Sequence, residues 1–513
     1  MPRSLLEPDN VISQLIPIAE DTPMIRTQIE RRSFLKTAAQ TIIAAPAVSA
    51  LSRFAPAQQP AQQPAKPTAQ AAHPAPATAH AHAAPKAPAK PALTLNVRDF
   101  GATGDGKTKD TLAIQQTIER CSVFGGGEVV VPAGDYLTGA LVLRSGVTLR
   151  VEEGATLNGS QDMTDYPFAQ VRWEGHWVKG YLGFISATDA ENIGLVGTGK
   201  IIGNPTLRGR NERGTGYRFP ALIEFNNCKN VLVQDVYTQQ FGMWSTHPVY
   251  CENVTFKNAT FKSGADGIDV DSCKHTVIDG CTFDTSDDSI SLKSGRGAEG
   301  NDIGRVCEDT LIINCTLSDS GFANIGIGSE TAGGVRGVRI EKCKFIHART
   351  HAIFIKSRVG RGAFVEDVFA TDCDVSGMGQ GFLQITNTAT GKDDGVADVI
   401  GEAGIPLFKN FRFSNMRVTD MPSLVDAKLL TPAKPLDGLT LENITGTCKK
   451  GMEMAYMKNV HLAGIKVTGF DEPLLATAHV TGTGLTGAAK LDEAKIPKAP
   501  DPAPVPPTPY QLH

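Results

Sequence analysis

At 513 residues and a formal net charge of −4, the chain has length for two or three average domains and no cationic surplus for nucleic acid. Its 10 cysteines are too few to scaffold a protein of this size. No apolar run approaches the roughly 20 residues of a membrane span, so none is predicted.

The first distinctive stretch is Arg31-Arg32-Ser33-Phe34-Leu35-Lys36, followed by the weakly apolar Thr37–Ser52. It reads as a twin-arginine export signal over residues 1–52, with Glu30 where a serine or threonine usually stands. This predicts the twin-arginine export machinery as a partner and a periplasmic or secreted location. Residues 53–93 are Ala, Pro, Gln and His with almost no large apolar side chains, hence a linker without a core. His73, His80 and His82 belong to that linker and are not read as metal ligands.

The folded domain is predicted over 94–490, followed by a Pro-rich tail at 491–513. It opens with a strand, a Gly-rich turn and a helix that Asp110 or Thr111 can cap. Ile114, Ile118 and Cys121 form that helix's apolar stripe, suited to covering the open end of a solenoid. DGKTKD is Gly-containing and polar, but the P-loop spacing is absent.

From Asn192 onward a repeat takes over: CKNVLVQDVYT, CENVTFKNATF, CKHTVIDGCTF and CEDTLIINCTL all alternate apolar and polar through two short strands. Asn230 and Asn253 are 23 residues apart, and longer gaps coincide with Gly-rich insertions at Arg296–Arg305 and Thr331–Gly337. Within Ser263–Gly295 a displacement of 22 carries Asp266 onto Asp288, Ile268 onto Ile290 and Val270 onto Leu292. Strands repeating at about one coil predict a parallel β-helix, with stacked strands about 4.8 Å apart. The helix-bearing signature of leucine-rich repeats is absent. The inward column continues as Ile325/Ile327, Ile353/Ile355 and Leu383/Ile385. Cysteines at repeat positions (Cys228, Cys251, Cys273; Cys281, Cys315, Cys343) read as small buried hydrophobes, and without a CxxC pair no metal site is predicted.

The outward positions of the same coils form the candidate site: Asp266, Asp287, Asp288 and Lys293, then Phe322, His351, Phe354 and Lys356, with Trp244 and His247 one coil upstream. Three acids in two coils push at least one pKa upward. The resulting split between a protonated and an ionised carboxyl is what glycoside hydrolysis requires. A solvated acidic ladder or a Ca²⁺ site is the alternative. Outward Trp244 and Phe354 are expected to stack on a sugar ring. Lys356 is either a structural ion partner or a grip on a carboxylated sugar.

The segments DFGATGDGKTKDTLAIQ, WSTHPV, ADGIDVDS, SDDSISLKSG, IGSETAGG and IKSRVGRG together resemble glycoside hydrolase family 28, the polygalacturonase family, over most of Asn96–Pro473. The resemblance implies an all-β, single-stranded right-handed parallel β-helix (solenoid) with an N-terminal capping helix. It implies an O-glycosyl hydrolase that cleaves pectic polysaccharide with inversion and needs no cofactor. By the same resemblance Asp287 is the general acid, and Asp266 and Asp288 position and deprotonate the water. The family's Gly-His-Gly stands here as Gly321-Phe322-Ala323, and its Arg-Ile-Lys as Phe354-Ile355-Lys356. Loss of that arginine removes a bidentate partner for a uronate. One lysine beside an apolar wall then suits rhamnogalacturonan, with homogalacturonan the alternative and His351 a candidate for the missing histidine's role. A Ca²⁺-dependent lyase and a non-catalytic glycan-binding protein are the other classes, and the retained acids favour the hydrolase. A capped solenoid is expected to be a monomer.

Overall fold

A pattern of buried alternate residues returning every coil requires each strand to lie parallel on its predecessor. The computed structural model describes residues 93–388, 395–496 and 498–504. The export segment at 1–52, nearly all of the linker at 53–93 and the end of the tail at 505–513 lie outside the described residues.

The described chain is a right-handed parallel β-helix. Its strands stack in three lines. One line carries Thr246–Val249, Ile268–Asp271, Ile290–Lys293, Ile325–Ile327, His351–Lys356 and Gly381–Thr386. Its register is the one read from the sequence: Ile268 lies on Ile290, Val270 on Leu292, Ile325 on Ile353 and Ile355 on Ile385. All of these side chains are fully buried. The 10 cysteines are free and buried, and the Cys228 amide donates to Cys251 Sγ at 3.4 Å, one coil on.

The corners between two of the lines are turned by Asp235, Asn258, Gly280 and Asn314, all with positive φ. Asn, Asp and Gly tolerate this left-handed conformation. A second column of such residues is tied by side chains, with Asn253 Nδ2 donating to Asn230 Oδ1 at 3.1 Å and Asn230 Nδ2 to Asn192 Oδ1 at 2.9 Å.

The helix Thr111–Val123 covers the N-terminal end, with Ile114, Ile118 and Cys121 fully buried. Asp110 holds its N-cap position without capping it. Its carboxylate instead accepts from the amides of Thr103 at 2.7 Å and Gly104 at 3.0 Å, fastening the Gly-rich turn. At the other end Leu491 packs with Ala455, Ala476 and Ala478, so the folded body runs past the boundary drawn at 490. Two of the excursions that leave the coil beside the first strand line bear on the site. One is an antiparallel hairpin, Phe168–Trp173 with His176–Tyr181, and the other is the stretch 203–222 between the strands Lys200–Ile202 and Ile223–Asn226.

Candidate active site

The acids sit in the turns that enter the first strand line, where each coil's chain crosses onto the outer face. Asp266 precedes the strand Ile268–Asp271, and Asp287 and Asp288 precede Ile290–Lys293. Ser291, the outward residue between Ile290 and Leu292, joins two of them: its hydroxyl lies 3.2 Å from Asp266 Oδ2 and 3.1 Å from Asp288 Oδ2. Gly326 stacks on Ser291 in the next coil, and any side chain there would collide with the Asp288 carboxylate.

Each acid has a different environment. Asp266 is 4 % exposed. Burial alone would raise its pKa, but Lys293 Nζ at 3.1 Å and Arg210 Nη2 at 3.7 Å outweigh that and hold it down to about 2. Asp287 is the open one, with its side chain 32 % exposed. Partial burial, then the charges of Asp266 and Asp288, raise it to about 6 against the pull of Arg210 and Lys356. Asp288 accepts from Lys356 Nζ at 3.0 Å, Ser291 Oγ at 3.1 Å and the Ala323 amide at 3.1 Å. Asp287, which holds its proton up to about pH 6, therefore stands beside Asp266, which stays ionised. Such a set can protonate a leaving oxygen and deprotonate a water.

The surrounding residues divide by burial. Lys356 reaches Asp288 and lies 4.6 Å from the Phe322 ring centre and 5.3 Å from that of Phe354. The two rings are 5.8 Å apart; Phe322 is half-buried and Phe354 only 7 % exposed. Phe354 therefore supports Lys356 and, against the expectation that it stacks on a sugar ring, presents almost no face. His351 is 3 % exposed and packs against Phe354. Burial lowers its pKa to about 4, so the imidazole is neutral, and Nδ1 has no hydrogen-bond partner.

Three outward assignments are corrected. Trp244 is 1 % exposed, packed with Met243, Ala265 and Ala221 beneath the acids, so it offers no face to a sugar. His247, also 1 % exposed, lies between Glu224 at 3.4 Å and Asp271 at 3.8 Å. Lys293 is 6 % exposed and faces inward to Asp266 and Asp269, with its ammonium 4.3 Å from the Trp244 ring centre. These positions alternate outward from the strand line, but Trp173 of the hairpin and Phe219 of the 203–222 stretch pack against the Trp244 cluster, and Arg172 and Arg218 of the same excursions bind the carboxylates beside His247.

Sequence reasoning missed Arg210, whose guanidinium touches Asp287 Oδ2 and lies 3.3 Å from Glu174 Oε1. It stands outside the repeat, 77 residues from Asp287, so no periodicity points to it. The buried supports were missed for the same reason: Arg172 Nε donates to Asp271 Oδ2 at 3.0 Å from the hairpin, and Arg218 donates to both oxygens of Glu224 at 2.6 and 2.7 Å. Among the described residues no group of three or more His, Cys, Asp or Glu is arranged to hold a metal ion. Lys293, Arg210 and Lys356 already neutralise the three acids, an arrangement unlike a Ca²⁺ site.

The chain shares its fold and family with known proteins. The family model described as "Glycosyl hydrolases family 28" matches residues 121–388. A probable polygalacturonase of Vitis vinifera is 28 % identical over 370 residues, covering 69 % of this chain and 74 % of the relative. The crystal structure of a hyperthermoactive exopolygalacturonase from Thermotoga maritima aligns with TM-score 0.60 and 26 % identity, over 74 % of this chain and 94 % of that one. The family 28 exopolygalacturonase of Yersinia enterocolitica shares the fold with TM-score 0.68 and 19 % identity, over 79 % and 80 % of the two chains.

Proposed function

The chain belongs to glycosyl hydrolase family 28, and from that premise we propose that it hydrolyses galacturonate-bearing glycosidic bonds of pectic polysaccharide with inversion. The observation that carries this reading is the split among the acids: Asp287 is raised to about 6 while Asp266 is lowered to about 2. Asp287 gives its proton to the leaving oxygen, and Asp266 and Asp288 orient and deprotonate the water that attacks from the opposite face. The sugar attacked by water becomes the new reducing end and inverts at its anomeric carbon because a single displacement occurs, while the other sugar leaves with the proton of Asp287 on its oxygen. Lys356 supports recognition of a carboxylated sugar, being the cation on the Asp288 side that keeps some exposure, 12 % of its side chain.

A second reading rests on Phe322 and Phe354, which stand where the family's histidine and arginine are expected. The half-buried ring of Phe322, backed by the buried Phe354 and beside Lys356, favours a methyl-bearing rhamnose next to galacturonate, hence rhamnogalacturonan. Incubating the full-length purified protein with polygalacturonan and with rhamnogalacturonan separates the two. Reducing ends without new ultraviolet absorbance are expected, with the preferred polymer deciding between the readings. Absorbance from an unsaturated product would instead identify a lyase. Proton magnetic resonance of the first product formed checks inversion.

We also propose twin-arginine export, on the strength of Arg31-Arg32-Ser33-Phe34-Leu35-Lys36. Replacing both Arg31 and Arg32 by lysine is expected to leave the protein in the cytoplasmic fraction, whereas the native sequence leaves it. Identical fractionation of the two would refute the assignment.

A further inference from the structure

Arg210 is the cation that the repeat does not supply, and its placement is built. The stretch that carries it folds back through a hydrogen bond from the Phe219 amide to the Arg210 carbonyl at 3.0 Å and a bridge between Asn211 and Arg218. Arg218 in turn is fixed by its two bonds to the buried Glu224. The Arg210 guanidinium thereby lies over the acids, with Nη2 on Asp287 and near Asp266, and Nη1 on Glu174. Its side chain is 31 % exposed, as open as that of Asp287 at 32 %, while that of Asp266 is 5 % exposed, so a ligand descending on the acids meets Arg210 and Asp287 together, above Asp266. A guanidinium carries five N–H donors in a planar fork, and carboxylates are its best partners.

We propose that Arg210 grips a substrate uronate carboxylate, and that this grip charges the general acid: in the free chain the guanidinium pairs with Asp287, and on binding it turns to the uronate. Asp287 then faces Asp266 and Asp288 without an ion partner of its own, since Lys293 is held on Asp266 and Lys356 on Asp288, and takes a proton from solvent. The acid is thus armed when a uronate is bound and stays paired otherwise. The inference deepens the hydrolase reading and rests on Asp287 being the acid. It also answers the loss of the family's arginine at Phe354, because a cation stands on each side of the acids, Lys356 at Asp288 and Arg210 at Asp287.

The test compares the full chain with Arg210→Gln and Arg210→Lys on trigalacturonate and on the same trimer with its carboxyls reduced to alcohols. Arg210→Gln is expected to raise KM for trigalacturonate about 100-fold, the worth of a charge-assisted pair. On the reduced trimer the loss in kcat/KM should be smaller than on trigalacturonate by about tenfold or more, limited to what the altered titration of Asp287 and Asp266 causes, with Arg210→Lys intermediate. The alkaline limb of kcat/KM should also move to higher pH in Arg210→Gln, since the free acid loses its opposing cation. Equal losses on both trimers would make Arg210 a support for Asp287 alone and overturn the proposal, as would an unchanged KM. Calorimetric titration of trigalacturonate into Asp287→Asn, with and without Arg210→Gln, reads binding apart from chemistry. Undiminished binding without Arg210 sinks this inference and spares the hydrolase reading; no uronate binding by either protein sinks both.

Discussion

Asp287→Asn is expected to lower kcat on a pectic polymer by about 10³- to 10⁴-fold while KM stays close to its native value. The amide is nearly isosteric and can still accept from the Asp288 amide, which reaches Asp287 Oδ1 at 3.1 Å, so the turn is kept. What it lacks is a proton to give. Because the native carboxyl is raised to about 6, kcat/KM should fall as pH rises through that value, where the acid deprotonates. The variant's residual activity should show no such limb.

The decisive contrast is the leaving group. A galacturonide of an acidic phenol departs without help, so Asp287→Asn should retain most native activity on it. Asp266→Asn should lose activity on the phenol and the polymer alike, because both need an activated water. If Asp287→Asn lost equally on the two substrates, Asp287 would be acting on the water, and the roles within the triad would have to be exchanged.

The sequence carries the solenoid unusually well, for a physical reason. A side-chain period of two fixes which residues face inward, and a coil fixes how far apart their repeats lie. The 22-residue displacement therefore places Ile268 on Ile290 and Asp266 one coil from Asp288, the register the strands adopt. The same rule misplaced Trp244, His247 and Lys293, since it reports which side of a strand a residue leaves from and not what lies above it. The roof over them is made by the hairpin and the 203–222 stretch, neither of which repeats. Arg210 was illegible for the same cause: RGRNERGTG has no partner segment elsewhere in the chain against which its position could be aligned. Phe354 shows a third limit. Its column was read from the register, Gly326 on Phe354, but its 7 % exposure follows from Lys356 and Phe322 closing over it.

The largest expected effect on stability belongs to Lys293. Lys293→Met should destabilise the fold by about 3–5 kcal/mol at neutral pH, the usual result of removing one partner from a buried ionic group. Its ammonium touches Asp269 and lies 3.1 Å from Asp266, and those residues are 0 % and 4 % exposed. Methionine fills the same volume over Trp244 but leaves both carboxyls facing one another, with Arg210 at 3.7 Å as the nearest remaining cation to Asp266. Asp269 is already held above the ordinary carboxylate range by burial and by Asp266, and without the lysine both acids would bind protons more tightly when folded than when unfolded. Protonation then relieves the variant, so its deficit in urea midpoint should shrink as pH falls toward about 4, the unfolded carboxylate value, and widen above it. Adding Asp269→Asn to Lys293→Met removes one of the facing charges with little change of shape, and should recover a large part of the loss. Activity supplies an independent reading: the acidic limb of the pH profile, expected near 2 in the native chain from Asp266, should move upward in Lys293→Met. A variant with native stability and an unmoved acidic limb would mean that the lysine does not hold Asp266 ionised, and the base would have to be sought at Asp288.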